Sequence, residues 1–173
     1  MVVVGIIGPI ASGKSVVADE LERLGAAVIR ADEVSRELLQ PGSELLAEVI
    51  EEFGDEFLTD DGSLDRPALG AAVVEDDEAR RRLERIVHPA MVRRVAEVLE
   101  ETRTAGGAPV AVIEAANLVE MGALPLVDVT VMVTAPREER IRRLMLRDGM
   151  GRARAERFVN LHERMRIGEH CTD

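Results

Sequence analysis

The sequence predicts a three-layer α/β/α protein built on a parallel sheet, with an all-helical insert inside it. Three observations carry this. Short apolar runs rich in β-branched residues recur at 2–7, 26–29, 109–114 and 127–133, the type that forms strands buried on both faces. Helical patterns separate these runs, and strands alternating with helices pair in parallel. Between Ser43 and about Arg103 the pattern is helical throughout, until Gly106-Gly107 marks the return to the sheet.

The first strand, Val2-Val3-Val4-Gly5-Ile6-Ile7, leads directly into Gly8-Pro9-Ile10-Ala11-Ser12-Gly13-Lys14-Ser15, a complete G-x-x-x-x-G-K-S phosphate-binding loop. A helix follows from Ser15, with Val17, Leu21 and Leu24 on one face and Gly25 as its stop. The second strand ends at Arg30-Ala31-Asp32, and a helix from Asp32 to Leu39 halts at Gln40-Pro41-Gly42. Ser43-Glu44 opens an amphipathic helix that closes near Phe53-Gly54. After the turn Asp60-Asp61-Gly62, Asp65 caps a helix with Pro67 in its first turn, and Asp76 begins another. His88-Pro89 is expected to join two helices, the second carrying Val92, Val95, Val98 and Leu99. Pro136 is expected in the first turn of the helix after the last strand.

Lys14 is the only lysine; the other 21 basic residues are arginine. A compact ammonium on a flexible stem reaches the outer phosphates of a nucleotide, whereas a planar guanidinium demands a different geometry. The Ser15 hydroxyl is placed to bind the Mg²⁺ that bridges two phosphates. Asp32 follows the second strand at the carboxyl edge of the sheet, where an acid either takes a proton from an attacking hydroxyl or caps a helix. Arg140, Arg143 and Arg147 share one helix face at i, i+3, i+7. Ile141, Leu144 and Met145 form the opposite stripe, so the arginines are expected to point away from the core.

Composition excludes several classes. At 46% hydrophobic residues the chain can bury a core over most of its length. A net charge of −11 opposes nucleic acid and anionic membrane as partners, and the absence of Tyr and Trp removes the usual stacking platforms for single strands. One cysteine, Cys171, rules out a disulfide framework and suits a reducing cytoplasm. The six-residue apolar start meets the glycine loop too soon for a signal peptide or a membrane span.

Further segments join the loop: Leu24-Gly25-Ala26 with Val28-Ile29 before Asp32, Phe53-Gly54, and Asp61-Gly62-Ser63-Leu64-Asp65-Arg66. Leu83-Glu84-Arg85-Ile86-Val87-His88-Pro89, Leu118-Val119-Glu120, and Arg143 with Arg147-Asp148 complete the order. This ordered set resembles the dephospho-CoA kinases, P-loop enzymes of the nucleoside-monophosphate-kinase type. The resemblance implies phosphorylation of the 3′-hydroxyl of dephospho-CoA, with ATP and Mg²⁺. It implies ATP contacts at Gly8, Ala11, Ser12, Gly13, Lys14, Ser15 and Val16, a general base in Asp32, and substrate contacts at Asp32, Arg66 and His88. It makes Arg140 and Arg143 catalytic arginines of the lid side, stabilising the charge in transfer with Lys14, in helices at about 136–166. It also makes a helical substrate subdomain of about 41–107 within a single kinase domain. Arg66 could instead pair with Asp65 or Glu75, and His88 could satisfy backbone groups at a helix junction.

The chain also departs from the family pattern. Arg30 stands where an acid is usual, and a basic group there would lower the pKa of Asp32 and weaken it as a base. Ala116-Asn117-Leu118 replaces the common Pro-Leu-Leu; Glu114 could supply a carboxylate near the metal, although an ordinary polar strand end is the favoured reading. His162 takes the place of a glutamine, and Thr172-Asp173 stands where the family continues into another strand and an adenine loop, which leaves the adenine side incomplete. The alternatives are a P-loop kinase for another small hydroxyl or nucleotide substrate, and a catalytically impaired nucleotide-binding relative.

Overall fold

The computed structural model describes residues 1–164, apart from the side chains of Glu75, Leu161, His162 and Arg164. The His162 side chain, Cys171 and the end of the lid-side prediction lie outside the described residues. Four strands, β1 (Val2–Ile7), β2 (Ala27–Arg30), β3 (Val110–Glu114) and β4 (Val129–Met132), pair in parallel in the order β2-β3-β1-β4. β1 and β3 are central, which is why their sequences are almost continuously apolar; Val3, Ile6, Ile7, Ala111, Val112 and Ile113 are all buried. The register sets both Ile6 and Arg30 beside Glu114, so three strands finish nearly level at their carboxyl ends. The chain leaves β1 toward β2 and leaves β3 toward β4. The two paths diverge between the central strands, where a parallel sheet opens a ligand crevice.

Seven helices accompany the sheet among the described residues: α1 (Lys14–Arg23), α2 (Ala31–Leu38), α3 (Glu44–Phe53), α4 (Arg66–Glu75), α5 (Asp77–Ala105), α6 (Arg137–Asp148) and α7 (Arg152–Arg164). The architecture is the P-loop three-layer α/β/α fold. α1 lays Ala18, Val17 and Leu21 against Ile6 and Val112 of the sheet. α6 and α7 close their own core around Ile141, Leu144, Ala155 and Val159. The caps read from sequence are present: Ser43 Oγ accepts from the Leu46 amide at 3.2 Å, and Asp65 Oδ1 accepts from the Ala68 amide at 3.0 Å. By compactness the chain divides into two units, Met1–Arg30 with Val98–Asp173, and Ala31–Glu97. The first holds the sheet with α1, α6 and α7; the second holds α2, α3, α4 and most of α5.

Two local expectations need correction. α5 runs unbroken through Pro89 for 29 residues, so His88-Pro89 is no junction. An interior proline costs about 3 kcal/mol. Val87, Ala90, Met91, Val95 and Leu99 form a buried stripe on both sides of it, and each large apolar side chain buried contributes about 1.5–3 kcal/mol. Tertiary packing therefore outweighs the local break. Pro136 lies one residue outside α6, as its N-cap, in an extended conformation at φ −52° and ψ 142°.

Candidate active site

The phosphate loop is held in a shape few residues could adopt. Gly8 has φ +146°, and a Cβ there would sit 2.1 Å from the Val133 carbonyl oxygen, so only glycine passes beneath the end of β4. Ala11 is left-handed at φ +59° and Gly13 at φ +107°. Gly13 is the N-cap of α1, supplies no side-chain cap, and is followed by no acid in the first turn. The first amides of α1 and its positive dipole end therefore stay available to an anion. Lys14 Nζ donates to the carbonyls of Gly8 at 2.9 Å and Pro9 at 3.2 Å. Ser12 is buried and Val16 is exposed on the first turn of α1.

Ser15 Oγ donates to Glu114 Oε1 at 2.7 Å. β3 lies beside β1, so its last residue faces the first turn of the helix that β1 feeds. Sequence reasoning ranked Glu114 as a polar strand end; the sheet order makes it the carboxylate next to Ser15. The signal was the position itself, an acid closing a strand beside the loop-bearing one. Two oxygen donors so placed suit a hard cation such as Mg²⁺, which keeps water and substrate phosphate as its remaining ligands.

Arg30 is engaged on α1. Its Nη2 donates to Asp19 at 2.6 Å and Glu22 at 2.8 Å, and these carboxylates hold its pKa above the ordinary arginine value. Its Nε approaches Glu114 only to 4.0 Å. Arg30, expected as a cation near Asp32, is ion-paired with the helix that follows the loop.

On α6 the three arginines diverge. Arg143 Nη1 donates to the Ala11 and Ser12 carbonyls at 3.2 and 3.1 Å, and its Nε is held by Glu139 at 2.9 Å. Bonds from Arg142 and then Arg143 pull the Glu139 carboxyl down to about 2. Arg140, expected to face outward, is turned inward with 5% of its surface exposed; its Nε donates to the Ala135 carbonyl at 3.2 Å and its Nη2 to Glu163. Through Glu163 it ties α6 to α7, with its Nη1 buried and without a hydrogen-bond partner. Arg147 binds Asp148. Ile10 and Ala11 of the loop pack against the α6–α7 core, so these helices reach the loop by apolar contact as well as through Arg143.

Within the helical unit, Asp32 is exposed in the first turn of α2. Arg66 opens α4, is half-buried, and donates from Nη2 to the Ser35 carbonyl at 3.1 Å rather than pairing with Asp65. Burial, and then the charge of Arg36, lower its pKa, while Asp32 acts in the opposite sense. His88 is half-buried in the interior of α5, one residue before Pro89. Lys14, Ser15, Glu114 and Arg143 thus gather at the loop, while Asp32 and Arg66 are neighbours in the helical unit. No described helix is long and apolar enough to cross a membrane.

The family model described as dephospho-CoA kinase matches residues 2–169. The dephospho-CoA kinase of Geobacter sulfurreducens is 46% identical over 156 residues, covering 90% of this chain and 79% of that protein. That of Anaeromyxobacter dehalogenans is 47% identical over 157 residues, covering 90% and 74%. Among solved structures, the dephospho-CoA kinase from Campylobacter jejuni superposes with a TM-score of 0.62 over 93% of this chain and 80% of its own; at 24% identity it speaks for the fold.

Proposed function

Because the chain belongs to the dephospho-CoA kinase family, we propose that it transfers the γ-phosphoryl group of ATP to the 3′-hydroxyl of dephospho-CoA, yielding coenzyme A and ADP. The observation that carries the site assignment is the Ser15–Glu114 contact beside a complete phosphate loop. The bond from the γ-phosphorus to the bridging oxygen of ADP breaks as the bond to the 3′-oxygen forms, and the hydroxyl proton passes to the Asp32 carboxylate. Loop amides at the start of α1, with Lys14, bind the β- and γ-phosphates, and Arg143 turns from the loop carbonyls to the charge in transfer. Ser15 and Glu114 would hold Mg²⁺, which when bound neutralises phosphate charge. Arg140 holds α6 on α7 and so positions Arg143. Arg66 and His88 contribute to the acceptor side, in the helical unit. A cytoplasmic location accords with the low cysteine content.

The test is a coupled assay of ADP formation with dephospho-CoA beside adenosine, AMP and shikimate, and Lys14→Ala as the blank. Dephospho-CoA should exceed every other acceptor in kcat/KM by about 10²-fold or more, the discrimination expected of a site built to pair a substrate's polar groups. A better acceptor among the others overturns the substrate; no ADP with any of them overturns the kinase reading.

A further inference from the structure

We propose that Arg36 and Arg66 form an anion site for the diphosphate of the acceptor, next to the carboxylate of Asp32. This rests on dephospho-CoA being the acceptor. Asp32 and Arg36 are one turn apart in α2, on its exposed side, while Ala31 and Val34 face the core. The Arg66 guanidinium lies at the peptide joining Ser35 to Arg36, because Nη2 donates to the Ser35 carbonyl at 3.1 Å. Two guanidinium-bearing residues and the proposed base are thereby gathered along one short helix.

Arg36 and Arg66 lack ion pairs, as Arg81, Arg85, Arg93, Arg154 and Arg157 also do among the described residues. What sets this pair apart is that Arg66 lies within electrostatic reach of both Arg36 and Asp32. Of the adjacent acids, Glu37 takes Arg94 at 2.9 Å and Asp65 Oδ1 takes the Ala68 amide at 3.0 Å, while the charge of Asp32 reaches Arg66 without an ion pair. Arg66 is half-buried besides, where a second positive charge is felt more strongly. An arginine at the carboxyl end of a helix has a local purpose, since it favours the dipole and can bond the last carbonyls. Arg36, in the last turn of α2, gains that dipole contribution, but its side chain donates no hydrogen bond among the described residues, while Arg66 bonds the Ser35 carbonyl.

The acceptor supplies the matching group. At neutral pH the ionised part of dephospho-CoA is its diphosphate bridge, with one negative charge on each phosphate; adenine, ribose and the pantetheine arm are neutral. Two planar forks facing two phosphates form charge-assisted, bidentate bonds that a lysine cannot reproduce. Holding the diphosphate there would fix the attached ribose and aim its 3′-hydroxyl near Asp32.

The experiment compares wild type, Arg36→Ala, Arg36→Lys and Arg66→Lys in steady-state kinetics with dephospho-CoA and with adenosine, which keeps the ribose and lacks the diphosphate. Arg36→Ala should raise KM for dephospho-CoA about 10- to 100-fold, the range for losing a hydrogen bond to a charged group. Its KM for ATP, its melting temperature and its kcat/KM for adenosine should stay at wild-type values. Arg36→Lys and Arg66→Lys should raise KM for dephospho-CoA less than Arg36→Ala does. An unchanged KM for dephospho-CoA, or an equal loss with adenosine, overturns the site. Should adenosine turn over too slowly to measure, calorimetric titration of the two acceptors makes the same comparison. If wild type fails to phosphorylate dephospho-CoA, the substrate reading fails. Titrating inorganic pyrophosphate into wild type and Arg36→Ala, with the phosphate loop saturated by ADP, then tests the anion site alone; equal affinities overturn it.

Discussion

Replacing Gly8 by alanine tests whether the phosphate loop is clamped by the sheet. The added Cβ would lie 2.1 Å from the Val133 carbonyl oxygen, more than 1 Å inside a normal contact, at a backbone φ of +146°. Val133 cannot simply retreat, because its own amide is bonded to the Ile7 carbonyl at 2.9 Å and holds the end of β4 to β1. Overpacking costs about 1–3 kcal/mol, and a side chain in this conformation about 1–3 more. A total near 4 kcal/mol converts to a melting temperature lower by about 8–16 °C for a chain of this size. Gly62→Ala is the control, since φ is +77° there and nothing stands within 4 Å of the new Cβ; it should carry the backbone term alone. Thermal unfolding followed by circular dichroism measures both. If Gly8→Ala melts no lower than Gly62→Ala and retains kcat/KM, the clamp does not exist. A loop displaced by about 1 Å should instead lose about 10²-fold in turnover.

Asp32→Asn should lower kcat about 10²-fold with the KM for ATP little changed, as for removal of a general base; normal turnover with a lower melting temperature would reduce Asp32 to a helix-end residue. Glu114→Gln keeps the shape beside Ser15 and removes the charge, so kcat should drop at least about 10-fold and half-saturation by Mg²⁺ should need more metal; an unmoved Mg²⁺ titration would exclude Glu114 from the metal site. Glu139 is lowered from its ordinary 4.5 to about 2 by Arg142 and Arg143. A carboxyl depressed on folding stabilises the protein above its unfolded pKa, and the contribution fades as pH falls from about 4.5 toward 2. The melting temperature of Glu139→Gln should therefore depend less on pH across that window than wild type, and parallel curves would show the pairing to be idle.

The sheet was legible because its strands are buried on both faces and leave continuous apolar runs, and the loop because its chemistry is local to eight residues. Partnership across the sheet was not. Glu114 and Ser15 are 99 positions apart, and they meet only because β3 lies beside β1 rather than after β2 in the sheet. Arg140 illustrates a different blindness. Its spacing from Ile141 and Leu144 puts it off the apolar stripe, yet Glu163 of α7 and the Ala135 carbonyl just before α6 take its Nη2 and Nε, leaving Nη1 buried without a hydrogen-bond partner. Pro89 failed for the same reason in reverse, since a strong local signal lost to a stripe of buried side chains that no local window weighs.

The loop, finally, meets its phosphate already shaped. Ala11 and Gly13 sit in left-handed conformations, Gly8 is wedged under Val133, and Ile10 and Ala11 are packed on the α6–α7 core. The cost of those conformations is met on folding and not on binding, which is the advantage of preorganisation. Lys14 and Arg143 fit the same logic. They donate to the carbonyls of Gly8, Pro9, Ala11 and Ser12, acceptors that carry no charge. Bonds from the same cations to phosphate add the attraction of a full negative charge. A nucleotide can therefore draw both cations across by side-chain rotation alone, leaving the backbone where the sheet and the α6–α7 core hold it.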